Sequence, residues 1–341
     1  MEAYLPRNRL SAALAALIVL IGALWMGAAI GETAIPFDVV AKTVANRVWG
    51  AGYPIEPVDE GIVWSYRLSR AVVAACCGAA LGVSGVVLQA LLRNPLADPY
   101  ILGISAGAST GAVSVAILGF GAGMLSLPLG AFFGAVVAFV LVSLLSLKAG
   151  RGTATIILAG VAGSQLFNAL TSFIVTKAAN AEQARGIMFW LLGNLSGVRW
   201  SDAGLALPVT LAGLVVCLWH ARALDAFAFG SDSAASMGIP VRRVYAILVC
   251  ATALMTAAMV SIVGSIGFVG LVIPHAARML IGVRHGVLLP MSALTGAVFM
   301  VLADILSRTT IPGQVLPIGV ITALIGAPAF ALILGHRKAR A

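Results

Sequence analysis

Long apolar runs alternate with short polar interruptions along the whole chain. The runs fall at about 10–31, 62–91, 98–119, 122–147, 153–175, 200–219, 241–263, 266–282, 288–307 and 313–335. About 20 apolar residues suffice for a helix to cross the hydrocarbon layer, and a helix satisfies its own backbone hydrogen bonds there. The pattern therefore predicts an all-α, polytopic membrane protein with about ten transmembrane helices. No low-complexity linker divides the chain, so residues 1–341 are expected to form a single transmembrane domain. Two hydrophilic interruptions, 36–60 and 221–240, are long enough to hold short helices of their own.

One interruption has an unusual composition. QALLRNPLADPYILGISAGAS, residues 89–109, places Arg93, Asn94, Asp98 and two prolines between two apolar runs. Lipid would not tolerate these groups, so the segment is expected at a helix end, where backbone meets water or protein. Pro95 and Pro99 would end one helix and begin the next, with Asp98 capping the latter. Gly103, Gly107 and Gly111 then recur every turn, and removing side chains from one stripe lets helix backbones touch within lipid. GAALG at 78–82 and GAFFG at 130–134 repeat that spacing. Asn94, Pro95, Asp98, Gly103 and Gly107 are accordingly hinge or pathway candidates.

Composition agrees with the pattern. The 341 residues are 61% hydrophobic and 10% charged, against about 25% charged in soluble domains. An even number of spans puts both termini on one side. If that side is cytoplasmic, it holds Arg7, Arg9, Arg93, Lys148, Arg151, Arg222, Arg242, Arg243, Arg278, Arg284, Arg337, Lys338 and Arg340. The other side keeps Lys42, Arg47, Arg67, Arg70, Lys177, Arg185, Arg199 and Arg308, the smaller share of the 21 basic residues. That asymmetry is the one membrane insertion favours. The net charge of +9 is scattered over helix ends, so no nucleic-acid surface is expected. The first apolar run is longer than a signal peptide core and is expected to remain as a helix. Cys76, Cys77, Cys217 and Cys250 lie in apolar runs without metal-ligand spacing, and no metal site is expected.

The chain offers little that could do covalent chemistry, and no catalytic residue is assigned. It contains no G-x-x-x-x-G-K-[ST] run, so ATP would have to be bound by another polypeptide. Ion-coupled carriers need intramembrane carboxylates or histidines as relays. Here the runs offer Asp304, near an end, and His275 beside Pro274, and no deep carboxylate. At one membrane face, Arg67 and Arg70 begin the second run and Arg308 ends the ninth. Arginines presented outward there would suit capture of a partner's carboxylates.

These stretches, in this order, resemble the FecCD/BtuC family of permease subunits of ABC importers for iron-siderophores, haem and vitamin B12. The carriers are residues 67–109, FWLLGNLSG at 189–197, GFVGLVIPHAARMLIG at 267–282, 288–308 and LPIGVITALIGAPAFALIL at 316–334. The resemblance implies a type II ABC importer permease of the bacterial inner membrane. Its partners would be a second copy of itself, two copies of a cytoplasmic ATPase that binds ATP and Mg, a periplasmic substrate-binding protein and membrane lipid. It carries binding-protein docking onto Arg67, Arg70 and Arg308. It also implies that 224–240 is the ATPase-coupling segment, through Leu224, Phe227, Gly230, Ala234, Met237 and Gly238. Two departures stand out: Ser69 replaces a usual proline, and QVLPIG at 314–319 lacks the carboxylate of the E-L-P-x-G that many relatives carry there. The expected cargo is a ferric siderophore or haem, because iron systems dominate the family. Cobalamin is the alternative cargo, and ion-coupled secondary transport the alternative class.

Overall fold

A computed structural model describes residues 5–338, apart from residues 122, 151 and 179. Arg151 and Arg340 of the charge pattern therefore lie outside the described residues. Among these residues the structure is helical, and the extended pairing is a single bridge between Ile311 and Gln314 in a turn.

The chain runs through α1 (Leu5–Ala29), α2 (Phe37–Trp49), α3 (Pro57–Glu60), a π-helical stretch (Gly61–Leu68) and α4 (Ser69–Leu91), the last three forming one continuous rod. Then follow α5 (Ile104–Ala116), α6 (Leu127–Ala149), α7 (Thr153–Ala178), α8 (Ala181–Leu191) and α9 (Trp200–Trp219). The rest comprises α10 (Ala221–Phe227), α11 (Ser231–Ser236), α12 (Val241–Val263), α13 (Val269–Ile281), α14 (His285–Thr309) and α15 (Ile318–Lys338). Six described helices are long and apolar enough to cross a membrane, and four shorter apolar helices bring the number of apolar helices to ten. Position 69 sits where the π-helical stretch becomes α4, and the Ser69 hydroxyl donates back to the Ser65 carbonyl at 2.8 Å.

α4 lies at the centre of the bundle because its glycines remove the bulk that would hold neighbours away. A Cβ at Gly78 would stand 2.0 Å from the Gly296 oxygen, and one at Gly82 would stand 2.8 Å from the Ser292 oxygen. α4 and α14 thus pack antiparallel at backbone distance. α5 and α6 meet the same way: a Cβ at Gly107 or Gly111 would come within 2.4 or 2.0 Å of the Gly134 or Gly130 oxygen. The glycine spacing in the sequence is a packing device.

Two of the expected crossings are interrupted. α5 and α13 have 13 residues each, about 20 Å of helix, less than the ~30 Å hydrocarbon layer. Backbone that is not α-helical adjoins both short helices. Residues 92–103 lead into α5, and Gly103 packs on Val142 and Ala138 near the middle of α6. Residues 264–268 form an irregular link from Gly264, beside the Trp190 carbonyl, to Gly270, which packs against Gly85 of α4. The two breaks satisfy one another. The Tyr100 hydroxyl donates to the Ile266 carbonyl and accepts from the Ile266 N–H, both at 3.0 Å. Ser105 and Ser265 share a hydrogen bond of 2.8 Å, and Gln89 Nε2 donates to the Gly270 carbonyl at 3.3 Å. Irregular backbone survives at membrane depth only when buried in protein or lining a cavity, and here it does both.

Candidate functional site

Three regions carry polar groups that a lipid-embedded bundle would otherwise avoid. The first lies at one end of α4 and α14. Arg70 Nε donates to Asp304 Oδ1 at 2.6 Å, while its other nitrogens reach the Ser196 and Ser307 hydroxyls at 3.3 Å. Arg308 Nη2 stands 3.1 Å from Asp304 Oδ2, but the alignment makes no hydrogen bond, and Arg308 Nη1 also has no hydrogen-bond partner. Arg308 donates instead to the Gly27 carbonyl at 3.0 Å, and Arg67 donates to the carbonyls of Ala29, at 2.7 Å, and Thr33.

All three arginines are therefore interior groups, with 1–3% of their surface exposed. Their expected outward presentation is corrected: of the five donors each guanidinium carries, two or three are taken by carbonyls, a carboxylate or serine hydroxyls of the same chain. Arg67 and Arg308 do line a small cavity of about 130 Å³ with Gly31, Glu32, Thr33, Ile62 and Tyr66. Arg70 does not reach it.

The second region is where the breaks meet. A cavity of about 520 Å³ is lined by Tyr100, Ser105, Ala106, Ser109, Ser164, Asn168, Thr171, Ser172, Leu191 and Ser265. No charged side chain is among them, so it offers hydroxyls and one amide. Thr110 and Thr171 share a hydrogen bond of 2.9 Å behind the wall, and Thr110 also donates to the Phe167 carbonyl. α7 contributes half of the polar wall, and its Gln165 and Asn168 are exposed at mid-helix. Amides so placed on a membrane helix are costly unless they face water or protein. The run 153–175 carried this signal in its sequence, and it had not been singled out.

The hinge candidates adjoin this cavity without forming its wall. Asn94 Oδ1 accepts from the Leu96 N–H at 2.9 Å, closing a turn that holds Pro95. Asp98 caps the single 3₁₀ turn Pro99–Leu102 through the Tyr100 N–H at 2.9 Å, while the cap of α5 is Gly103, at φ 75°. Phe268 takes φ 69° at the start of α13, a conformation a bulky side chain adopts only under surrounding constraint. Its ring supplies that constraint by packing against Gly326 of α15. His275 Nδ1 lies 2.8 Å from the Leu271 carbonyl, and its ring stacks edge-on against Phe330.

The third region is the α10–α11 segment at the opposite end of the bundle from Asp304. Leu224, Phe227 and Ala234 are buried, so these expected coupling contacts anchor the segment and do not face outward. Gly230, at φ 106°, turns the chain between the two helices, close to the Arg93 guanidinium. Met237 and Gly238 are exposed, and Phe229 in the same segment is 75% exposed. Cys76, Cys77 and Cys217 are buried free thiols, whereas Cys250 is exposed on α12. Among the described residues no group of His, Cys, Asp and Glu could hold a metal ion.

The FecCD transport family model matches residues 16–336. The cobalamin import system permease protein BtuC of Halobacterium salinarum is 44% identical over 332 residues, covering 92% of this chain and 89% of that protein. The ABC transporter permease protein YvrB of Bacillus subtilis is 40% identical over 344 residues, covering 98% and 97%. Among solved structures, an inward-facing metal-chelate type ABC transporter superposes with a TM-score of 0.82 at 29% identity, over 95% of this chain and 98% of that one.

Proposed function

The chain belongs to the FecCD transport family, and on that premise we propose that it is the membrane permease through which an ATP-driven importer moves cobalamin or a closely related corrinoid. The observation that carries the cargo is the 44% identical cobalamin permease. The cavity chemistry supports it: a corrinoid presents neutral carboxamides around its rim, and hydroxyls with one amide bind such groups without needing a counter-charge. An iron chelate, the cargo expected from the sequence, is the second reading, favoured by the superposition on a metal-chelate type transporter.

Two copies would pair with the polar face of α7 turned inward, and a separate ATPase supplying the ATP site would seat on α10–α11. The basic residues favour that face as cytoplasmic, with both termini beside it. A substrate-binding protein would then dock at the arginine end. Its carboxylates are proposed to meet Arg67 and Arg308, whose cavity retains an unsatisfied donor, while Arg70 holds the frame beneath. The permease itself performs no covalent step. It alternates access by moving helices around the junction of 92–103 with 264–268, where few continuous helix bonds resist displacement.

Reconstitution with the ATPase and binding protein in liposomes tests this reading. Labelled cyanocobalamin is expected to accumulate only with ATP, and a ferric siderophore is expected not to compete. Uptake that ignores ATP but follows a proton gradient would sink the proposal, and siderophore uptake without cobalamin uptake would select the second cargo.

A further inference from the structure

α14 is fastened by polar groups at both ends. At one end Asp304 holds Arg70 of α4. At the other, a single oxygen of Asp225 in α10 accepts two hydrogen bonds from His285, the backbone N–H at 2.9 Å and the ring Nδ1 at 2.7 Å. His285 is the first residue of α14, and the first N–H groups of a helix have no partner within it. The residue just before a helix ordinarily supplies the cap. Arg284 occupies that place and makes no side-chain cap. The capping carboxylate comes instead from another element, 60 positions away in the chain.

We propose that the Asp225–His285 contact is the joint that passes movement of the α10–α11 segment to α14, with Asp225 acting as a positioning residue. The proposal rests on the reading of this chain as a permease driven from that segment. An apolar contact between α10 and α14 could slide, whereas one carboxylate oxygen holding both a backbone and a ring donor fixes position and direction. The His285 side chain is 8% exposed and that of Asp225 37%, so the joint lies at the margin between the bundle and the partner surface. Leu224 and Phe227, on either side of Asp225, bury the rest of α10 in the bundle. Beyond the joint, the glycine contacts make α4 and α14 one body. α14 has 25 residues, about 37 Å of helix, so a displacement at Asp225 reaches the arginine end.

The test needs a readout that a merely structural role would not move and that does not depend on the cargo. A spin label at Thr310→Cys, in a Cys250→Ser background, reports the distance between the two copies at the arginine end of α14. Complexes carrying the full complement of ATPase are compared with and without ATP. The wild-type joint is expected to show an ATP-driven change in distance. Asp225→Ala, which removes the acceptor, should lose it, and Asp225→Asn, which keeps an acceptor oxygen, should retain it. An unchanged shift in Asp225→Ala overturns the joint, and so does a shift lost equally in both variants. Should Asp225→Ala not assemble, His285→Phe removes the ring donor, and an undiminished shift there overturns the proposal as well. If the wild-type complex shows neither ATP-dependent uptake nor a distance change, it is the permease reading that fails.

Discussion

Asp304 shares its two oxygens between two guanidiniums in a place from which water is excluded, with no surface of its own exposed. Breaking a buried ion pair by removing one partner strands the other charge, at a cost of ~3–5 kcal/mol. Asp304→Ala is therefore expected to lower stability by about that amount, read as a lower unfolding midpoint in detergent. An unchanged midpoint would show that Arg70 and Arg308 do not depend on it. Arg70→Glu should destabilise comparably, because it sets a second carboxylate towards Asp304 in place of an ion pair; a loss of docking in that variant would report the fold before the interface. The arginines were legible in the sequence as a group, since a guanidinium in an apolar run needs a reason. Their partner was not, because Arg70 and Asp304 are 234 positions apart, and nothing local distinguishes an arginine turned inward at a helix end from one turned outward. The same limit hid Asp225, whose chemistry depends wholly on a distant helix start.

Helices in this bundle approach through glycines, and each such glycine differs from a tolerant one by what a methyl group would strike. Gly78→Ala would drive a Cβ to 2.0 Å from the Gly296 carbonyl oxygen, against backbone that cannot turn aside. Overpacking of this kind costs ~1–3 kcal/mol, so the variant should unfold at lower temperature and weaken the α4–α14 contact. Gly204→Ala in α9 meets nothing within 4 Å and should be neutral or stabilising by up to ~1 kcal/mol, the helix-propensity difference. Equal midpoints for the two variants would contradict the packing argument. At this scale the sequence was most readable: the run 241–263 coincides with α12 and 200–219 with α9, because apolar length follows membrane thickness. The runs 98–119 and 266–282 contain shorter helices, Ile104–Ala116 and Val269–Ile281. Hydropathy records whether a residue avoids water and does not record whether its backbone is helical. Pro95, Pro99 and the glycines of 264–270 marked both breaks, but only the fold shows that the breaks answer one another.

The whole molecule presents two kinds of membrane-depth surface. On α6, Phe133, Val137, Val140 and Leu144 are exposed and wholly apolar, as lipid contact requires. On α7, exposed Gln165 and Asn168 interrupt the apolar residues beside a cavity of hydroxyls. Leaving such amides in hydrocarbon costs free energy with no return, so the assembled transporter should keep that face against water or a second copy. Val140 and Asn168 lie at comparable depth, each close to the middle of its helix, which makes them a controlled pair. In the assembled complex, with Cys250 changed to Ser, Asn168→Cys is expected to react with a water-soluble maleimide while Val140→Cys stays unmodified. Because reaction requires a thiolate in water, labelling at 168 identifies a hydrated wall and not merely an exposed one. Slowing of that labelling by bound cyanocobalamin would place the cargo against α7. Equal reactivity at the two positions would mean that the polar stripe does not select an aqueous pathway, and the cavity at the junction of the two broken crossings would lose its claim to be the route.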